Sequence, residues 1–368
     1  MHIRPFQKKA LAALAKPGSS HVICVAPTGS GKSLIYERIA AEKGRRTLLI
    51  TPLVALARQQ EARLGALGVR AFRRARESRS GAGAWITSPE ALLLARAELK
   101  AWAPDFWVVD ECHCLWEWGE GFRPAFAEVL GLLREHRPRR SLWLTATLDP
   151  ASRANLVAAL SELTTAPVQI GDFGVPPRMR IDVARVAPAA RPEALVAALK
   201  QLEGTGVIFA NTRETCERLA RLLASLHRRV AYYHAGLSSE ERVTIETRLR
   251  DGSLDCIVAT SAFGMGIDIP QLRWVTLWQP PPSPLSLAQA MGRAARNPER
   301  ESRALIYWDE SDFPPLEWMT LGRPERLRDL NRVRDFLLSA DCRARGLARY
   351  FNHSLSKRCG LCDRCRMA

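Results

Sequence analysis

The sequence lacks any apolar run long enough to cross a membrane or to form the core of a signal peptide. Charged residues interrupt the apolar stretches of its 368 residues, and the six-residue stretch Ala10–Ala15 lies between Lys9 and Lys16. A membrane span needs about 20 apolar residues, and a signal-peptide core needs about 7–15. We therefore exclude secretion and membrane insertion as leading interpretations and expect an intracellular protein without a membrane partner.

Repeats of fixed period are also missing, and Pro280–Pro284 is the only low-complexity tract. With 47% apolar and 25% charged residues, the chain is too apolar for a disordered protein, and its length predicts two or three globular units. Nine cysteines without an export signal favour reduced thiols or metal ligands over a disulfide framework.

Acidic residues are few relative to basic ones. The chain has 38 Asp+Glu against 54 Lys+Arg, which gives a formal net charge of +16. Residues 323–368 alone contain twelve Lys+Arg against five acids. A polyanionic partner is the first hypothesis for such a balance.

Short apolar runs alternate with helical stretches in two successive sets. The first set is Val22–Ala26, Thr47–Thr51, Trp85–Ser88, Phe106–Asp110 and Leu142–Thr147. The second set is Val207–Ala210, Val230–His234, Cys256–Thr260, Val275–Trp278 and Ala304–Trp308. Near-continuous apolar strands need cover on both faces, so we predict an α/β fold with two parallel sheets. The glycines and prolines of Ile170–Arg180 place a domain boundary near Arg180.

A glycine-rich segment follows the first predicted strand and opens a helix. It consists of Ala26, Pro27, Thr28, Gly29, Ser30, Gly31, Lys32 and Ser33. Its N–H groups and the helix N-terminus would converge on phosphate, with Lys32 meeting the β- and γ-phosphates of a nucleotide and Ser33 coordinating magnesium. The alternative is a glycine-rich turn that ends in Lys-Ser without binding phosphate.

Two carboxylates, Asp110 and Glu111, close the apolar strand Phe106–Val109. At the C-terminal edge of a parallel sheet they would lie beside the phosphate loop, where Asp110 would hold magnesium and Glu111 would deprotonate the attacking water. A strand-end acidic turn without a catalytic role is the alternative.

Together these motifs resemble those of superfamily 2 helicases, and more narrowly of the RecQ family of DNA helicases. Further matching segments are Arg4–Gln7, Thr145–Thr147, Val258–Asp268 and Gln289–Arg296. The resemblance assigns Arg4, Gln7 and Asp268 to nucleotide contact, with Gln7 recognising adenine. It assigns Thr145 and Thr147 to coupling between DNA binding and ATP hydrolysis.

The narrower resemblance rests partly on the segment His113–Pro124, which is similar to the aromatic-rich loop of RecQ proteins. The residues that it assigns to DNA binding and coupling are His113, Trp116, Trp118, Phe122 and Arg123. Aromatic faces can stack on bases, and arginine can meet phosphate. The alternative is that the aromatic residues belong to the core.

Four of the nine cysteines lie close together near the C-terminus: Cys342, Cys359, Cys362 and Cys365. Two overlapping Cys-x-x-Cys steps with a distant fourth thiolate predict a structural zinc site. Cysteines without a metal are the alternative.

Arg293 and Arg296 are three residues apart on a predicted helix, and hence on one face. The resemblance makes Arg296 the arginine finger that reaches the γ-phosphate, with Arg293 assisting. A solvated helix face is the alternative.

The resemblance implies two tandem RecA-like P-loop NTPase lobes, residues 1–180 and 181–322, followed by a small helical zinc-binding module, residues 323–368. It implies ATP, Mg²⁺ and Zn²⁺ as cofactors, single-stranded and tailed or forked DNA as substrates, 3′-to-5′ movement, and a nucleoid-associated monomer if bacterial. RecQ proteins usually continue into a winged-helix domain, so we expect weak unwinding from this chain. An RNA helicase and a scaffold with a vestigial ATPase are the rival interpretations.

Overall fold

The computed structural model describes residues 3–18, 20–27, 29–52, 54–119, 124–163, 166–171, 175–176, 178–226, 228–264, 269, 271–295 and 300–367. The chain divides into two compact units, formed by residues 1–26 with 30–173 and by residues 27–29 with 174–368. Within the described ranges, none of the helices combines the length and apolarity that a membrane span requires.

The first unit is built on a parallel sheet. Its strands are β1 (Ser20–Val25), β2 (Arg46–Ile50), β3 (Ala71–Phe72), β4 (Gly83–Thr87), β5 (Phe106–Val109), β6 (Arg140–Thr145) and β7 (Val168–Ile170), in the sheet order β3-β4-β2-β5-β6-β1-β7. Its helices are α1 (Pro5–Leu14), α2 (Ser33–Ala40), α3 (Val54–Ala66), α4 (Pro89–Leu94), α5 (Arg96–Trp102), α6 (Cys114–Gly119), α7 (Ala125–His136) and α8 (Pro150–Ser161).

The strands of this sheet are apolar at consecutive positions because both faces are covered. In β1, Ile23 and Val25 pack into one hydrophobic cluster, whereas Val22 and Cys24 pack into another on the opposite face. Every residue of β1 is buried. A sheet that is buried on both faces needs such apolar runs. Its covering helices lie on these faces, so the loops that follow the strands can carry functional residues.

The second unit carries another parallel sheet and the helices that follow it. The strands are β8 (Met179–Arg185), β9 (Thr205–Phe209), β10 (Val230–Tyr233), β11 (Cys256–Ala259), β12 (Leu272–Leu277) and β13 (Ser302–Trp308), in the order β10-β11-β9-β12-β13-β8. The helices are α9 (Arg191–Leu199), α10 (Arg213–Ser225), α11 (Ser239–Arg250), α12 (Pro284–Gly292), α13 (Phe313–Trp318), α14 (Pro324–Leu338), α15 (Arg343–Tyr350) and α16 (Asp363–Arg366).

The predicted fold class, two parallel α/β lobes followed by a small helical module, is confirmed, and all ten predicted strands are present. Three further strands, β3, β7 and β8, had no prediction. β8 pairs in parallel with β13 along its whole length, so residue 180 lies inside a strand of the second sheet. The two units divide at residues 173 and 174.

Candidate nucleotide and zinc sites

Three neighbouring strands bring the nucleotide-site candidates to one edge of the first sheet. β5, β6 and β1 are adjacent and parallel, so their C-terminal ends coincide. The backbone N–H of Ala26, just after β1, donates to the carbonyl oxygen of Thr145 at 3.0 Å, and that of Cys112 donates to Leu144 O at 2.9 Å. The loops after β1 and β5 are thus both anchored to β6.

The glycine-rich segment has the backbone of a phosphate-binding loop. Gly29 and Gly31 adopt φ angles of 73° and 80°, which side-chain-bearing residues rarely adopt, and α2 begins at Ser33. Lys32 Nζ donates to Ala26 O at 2.8 Å, which folds the side chain back over the loop. The buried hydroxyl of Ser30 has no hydrogen-bond partner among the described residues, which fits a phosphate oxygen there. Thr28 lies outside the described residues.

Gln7 connects the first helix to this loop. Its side chain is 2% exposed, and its Nε2 donates to Gly31 O at 2.7 Å. Its Oε1 accepts from the backbone N–H of Arg4 at 2.8 Å. Because a primary amide has two donor hydrogens and two acceptor lone pairs, one of each remains for the edge of a base.

The acidic pair lies at the end of β5, with both oxygens of Asp110 engaged. Oδ2 accepts from Gln60 Nε2 at 2.8 Å, and Oδ1 accepts from the backbone N–H of Glu111 at 3.1 Å. Burial and the charge of Glu111 raise the pKa of Asp110 to about 7, and Lys32 opposes that rise. A divalent cation would hold this carboxylate ionised, so the residues fit magnesium.

His113 connects Glu111, the second acid of the pair, with the end of β6. Glu111 has φ of 49°, an uncommon value for a residue with a side chain, and such outliers concentrate at functional sites. His113 Nδ1 lies 2.9 Å from Thr145 Oγ1 and 3.4 Å from Glu111 Oε2. Thr145 Oγ1 donates to Thr147 O at 2.8 Å, so His113 Nδ1 must be the donor to Thr145. The hydrogen-bonded chain places His113, Thr145 and Thr147 beside the acids.

The aromatic segment differs from the expected loop in its first half. Cys114–Gly119 forms helix α6, and Trp116 is partly buried against the hydrophobic core of the first unit. Trp116 therefore has a packing role, and its contact with DNA stays a prediction. Trp118 lies in α6 with its side chain outside the description, and Phe122 and Arg123 lie outside the described residues.

The arginine pair of the second unit is only half described. Helix α12 ends at Gly292, and Arg293 caps it with helical backbone angles and a residue exposure of 5%. Arg296 and Asp268 lie outside the described residues.

The four C-terminal cysteines converge. One sulfur from each of Cys342, Cys359, Cys362 and Cys365 lies within 4.8 Å of the others. The Sγ atoms are 3.9 Å apart between Cys359 and Cys365 and 3.4 Å apart between Cys362 and Cys365. Tetrahedral zinc with Zn–S bonds of about 2.3 Å requires separations of about 3.8 Å, so the cluster fits one zinc ion.

Backbone N–H groups surround this sulfur cluster. Arg343 N donates to Cys362 Sγ at 3.4 Å and Cys359 N donates to Cys342 Sγ at 3.3 Å, which favours thiolates. Burial opposes ionisation of Cys365, but hydrogen bonds from Cys362 and the Gly360 backbone outweigh it and lower the pKa of Cys365 to about 6. Burial raises the pKa of Cys362 to about 12, so without a metal Cys365 ionises before its partner. The buried guanidinium of Arg343, at the start of α15, donates to Asp363 at 2.9 Å and so holds the short helix α16 against α15.

Sequence reasoning assigned no role to Gln60, the partner of Asp110. The sequence pattern could have indicated it. Ala57, Gln60 and Leu64 lie on one buried face of α3, where a polar residue such as glutamine is uncommon.

Comparisons with known proteins agree with this geometry. Family models match residues 4–156 (DEAD/DEAH box helicase), 190–298 (helicase conserved C-terminal domain) and 291–366 (RecQ zinc-binding). Among solved structures, Saccharomyces cerevisiae Dbp5 bound to RNA and ADP BeF3 matches with TM-score 0.67 at 17% identity, covering 86% of each chain. Helicase MrfA bound to DNA and AMPPNP matches with TM-score 0.65 at 21% identity, covering 96% of this chain and 56% of that one. The family models and the fold are those of a superfamily 2 helicase.

Sequence relatives narrow the class. The ATP-dependent DNA helicase RecQ of Pasteurella multocida is 29% identical over 364 residues, which covers 93% of this chain and 57% of the relative. The probable ATP-dependent DNA helicase RecS of Bacillus subtilis is 31% identical over 333 residues, which covers 84% of this chain and 66% of the relative. Together with the zinc-binding match, these relatives show that the chain belongs to the RecQ family, as predicted. It spans little more than half the length of the Pasteurella relative.

Proposed function

We propose that the chain is an ATP-dependent DNA helicase of RecQ type, which moves 3′-to-5′ along single-stranded DNA and unwinds duplexes in DNA repair or recombination. One observation carries the ATPase part of this proposal. The phosphate loop at Lys32 and the acid Asp110 follow strands on either side of β6, and Ala26 and Cys112 are hydrogen-bonded to that strand.

Each nucleotide-site residue has a role in this proposal. Lys32 and the loop N–H groups bind the β- and γ-phosphates, and Gln7 binds adenine. Ser33 and Asp110 hold Mg²⁺, which when bound neutralises charge on the phosphates. Glu111 removes the proton from the attacking water. Arg293 and Arg296 supply positive charge from the second lobe.

The DNA side of the proposal is supported by charge and by the aromatic segment. A formal charge of +16 favours a polyanionic substrate, and the RecQ relatives bear the name DNA helicase. Trp118, Phe122 and Arg123 contact the strand, and His113 with Thr145 and Thr147 relays its presence to Glu111. We place the boundary between the two lobes at residues 173 and 174, because Arg180 lies inside β8 of the second sheet, and we place the zinc module at residues 323–368.

ATP turnover measured with no nucleic acid, with single-stranded DNA and with single-stranded RNA tests the substrate class. We expect DNA to stimulate turnover more than RNA, and we expect Trp118→Ala to reduce this stimulation while basal turnover persists. Equal or greater stimulation by RNA would make the chain an RNA helicase, and absence of turnover would make it a scaffold.

Strand separation tests the direction. Duplexes with a 3′ tail, a 5′ tail, a fork or blunt ends are compared at saturating ATP. A 3′-to-5′ motor loads on the 3′ tail, so the 3′-tailed and forked duplexes should be unwound and the 5′-tailed and blunt ones should not. Preference for the 5′ tail would reverse the proposed polarity.

A further inference from the structure

Gln60 is a buried polar residue on a helix whose other inward positions are apolar. Its residue exposure is 4%, whereas the neighbouring Gln59 is exposed. Burying an amide without hydrogen bonds is costly, so such residues are kept where their hydrogen bonds serve a purpose.

The amide of Gln60 holds one oxygen of Asp110. Its Nε2 donates to Asp110 Oδ2 at 2.8 Å, across 50 residues of sequence, and the backbone N–H of Glu111 holds Oδ1 at 3.1 Å. A carboxylate bonded at both oxygens cannot rotate freely about its terminal torsion. Gln60 on α3 and the backbone N–H of Glu111 after β5 together fix the plane of the Asp110 carboxylate. They thereby fix the direction of its remaining lone pairs.

The other atom of the same amide is unused. Gln60 Oε1 is buried and has no hydrogen-bond partner within the described part of the chain. Burial raises the pKa of the nearby Tyr36, and its contact with Gln60 opposes that rise. An N–H donor to the phenol oxygen has this effect, so the amide turns its nitrogen to Tyr36 and its oxygen stays available. An acceptor beside a cation-binding carboxylate can bind a water of the cation's hydration shell, and Mg²⁺ usually keeps several such waters.

We propose that Gln60 is a positioning residue that orients Asp110 and one metal-bound water for Mg²⁺ binding. The inference rests on the proposed ATPase, because it assigns Gln60 a role in that same site. Gln60 touches no reacting atom; it acts through Asp110, in the way that outer partners orient metal ligands elsewhere.

The experiment measures two quantities against free Mg²⁺ concentration for the parent, Gln60→Met and Gln59→Met. They are the binding of a non-hydrolysable ATP analogue and, at saturating ATP and DNA, ATP turnover. Methionine keeps the length of the side chain and removes its hydrogen bonds. We expect Gln60→Met to raise the Mg²⁺ concentration for half-maximal binding and turnover by about tenfold or more, because a hydrogen bond to a charged group is lost. High Mg²⁺ should restore most of the rate. The matched Gln59→Met should behave like the parent.

A second variant keeps the test informative if Gln60→Met does not fold. Gln60→Asn keeps a polar amide but withdraws it by one methylene, and we expect the same rise in Mg²⁺ requirement with a parent-like circular dichroism spectrum. An unchanged Mg²⁺ requirement in a folded Gln60→Met or Gln60→Asn protein would overturn the inference while leaving the ATPase proposal intact. A parent without turnover at any Mg²⁺ concentration would overturn both.

Discussion

Arg191 and Asp312 form a two-bond ion pair inside the second unit. Arg191 Nη1 and Nη2 donate to Asp312 Oδ1 and Oδ2 at 2.8 and 2.6 Å, and the two side chains are 1% and 4% exposed. The guanidinium also donates to the carbonyls of Val186 and Trp278 at 3.0 and 3.2 Å. One residue therefore joins the start of α9 to the ends of β8, β12 and β13.

Breaking this pair should destabilise the second unit. We expect Asp312→Asn to lower the free energy of unfolding by about 3–5 kcal/mol, because a buried guanidinium loses its counter-charge. Urea unfolding measures the change. The exposed pair Arg229–Asp255 is the control, and Asp255→Asn should cost less than about 1 kcal/mol. Similar costs for the two variants would contradict the expectation.

Removing the phosphate-loop lysine should abolish catalysis and spare DNA binding. Lys32→Ala should lose nearly all ATP turnover, because the cation that meets the β- and γ-phosphates is gone. Glu111→Gln should still bind ATP and hydrolyse it slowly, because it keeps the shape and loses the base. Turnover and DNA affinity by fluorescence anisotropy are the readouts. A folded Lys32→Ala protein that loses DNA binding and keeps turnover would refute the site.

Nucleotide choice should depend on Gln7. We expect the parent to prefer ATP over GTP and Gln7→Ala to weaken that preference, because the phosphate machinery alone cannot discriminate bases. The same change removes the hydrogen bond to Gly31 O, so the ATP/GTP ratio of kcat/KM, and not the rate alone, is the informative quantity. Equal use of both nucleotides by the parent would exclude the adenine role.

The chain should carry one tightly bound zinc ion. Elemental analysis of reduced protein should give one zinc per chain, and Cys362→Ser should release it and make the C-terminal module sensitive to protease, because structural zinc contributes to folding. Cys216→Ala, a buried cysteine outside the cluster, should keep the zinc. Freshly purified parent protein without zinc would exclude the site.

Acid should destabilise the first unit through His21. Burial lowers the pKa of His21 to about 4, below its usual value of 6.5, and its Nδ1 lies 2.7 Å from Ser141 Oγ. His21 therefore takes up a proton below pH 6.5 in the unfolded chain but only near pH 4 in the folded chain. Folding stability consequently falls as the pH falls from 6.5 to about 4.

The non-titrating variant His21→Asn isolates this contribution. Between pH 7 and pH 4.5 the parent should lose about 2–3 kcal/mol more stability than the variant. Denaturant unfolding at the two pH values measures it. Equal losses would show that His21 is not a source of acid sensitivity.

Sequence patterns predicted the strands and the contiguous motifs because both depend on neighbouring residues. Nine of the ten predicted strands are largely buried apolar runs, and the tenth, β10, is a partly exposed edge strand of apolar and aromatic residues. The missed strand β8 alternates charged and apolar residues, including Arg180 and Asp182, since it lies at the edge of its sheet. The missed β3 and β7 are two and three residues long.

The partners of the site residues were beyond prediction from sequence for a different reason. Gln60 meets Asp110 across 50 residues, and Arg191 meets Asp312 across 121. Which polar residues meet at such separations depends on strand order and helix packing. The phosphate loop, by contrast, carries its geometry within eight consecutive residues. Three of the four cysteines lie within two short steps, and Cys342 precedes the first of them by 17 residues.

The zinc module also has a consequence for solubility. β8 ends the second sheet, and helix α16 lies against it, with Arg366 donating to Asp182 on that strand. Arg366 directly follows the last zinc ligand, Cys365. Loss of a metal from the four cysteines would leave the Arg343–Asp363 pair as a main tie of α16 to the module, so we expect α16 to loosen from β8, an edge strand that can pair with a strand of another molecule. We therefore expect removal of zinc by a chelator to promote aggregation of the chain as well as to loosen its C-terminal module.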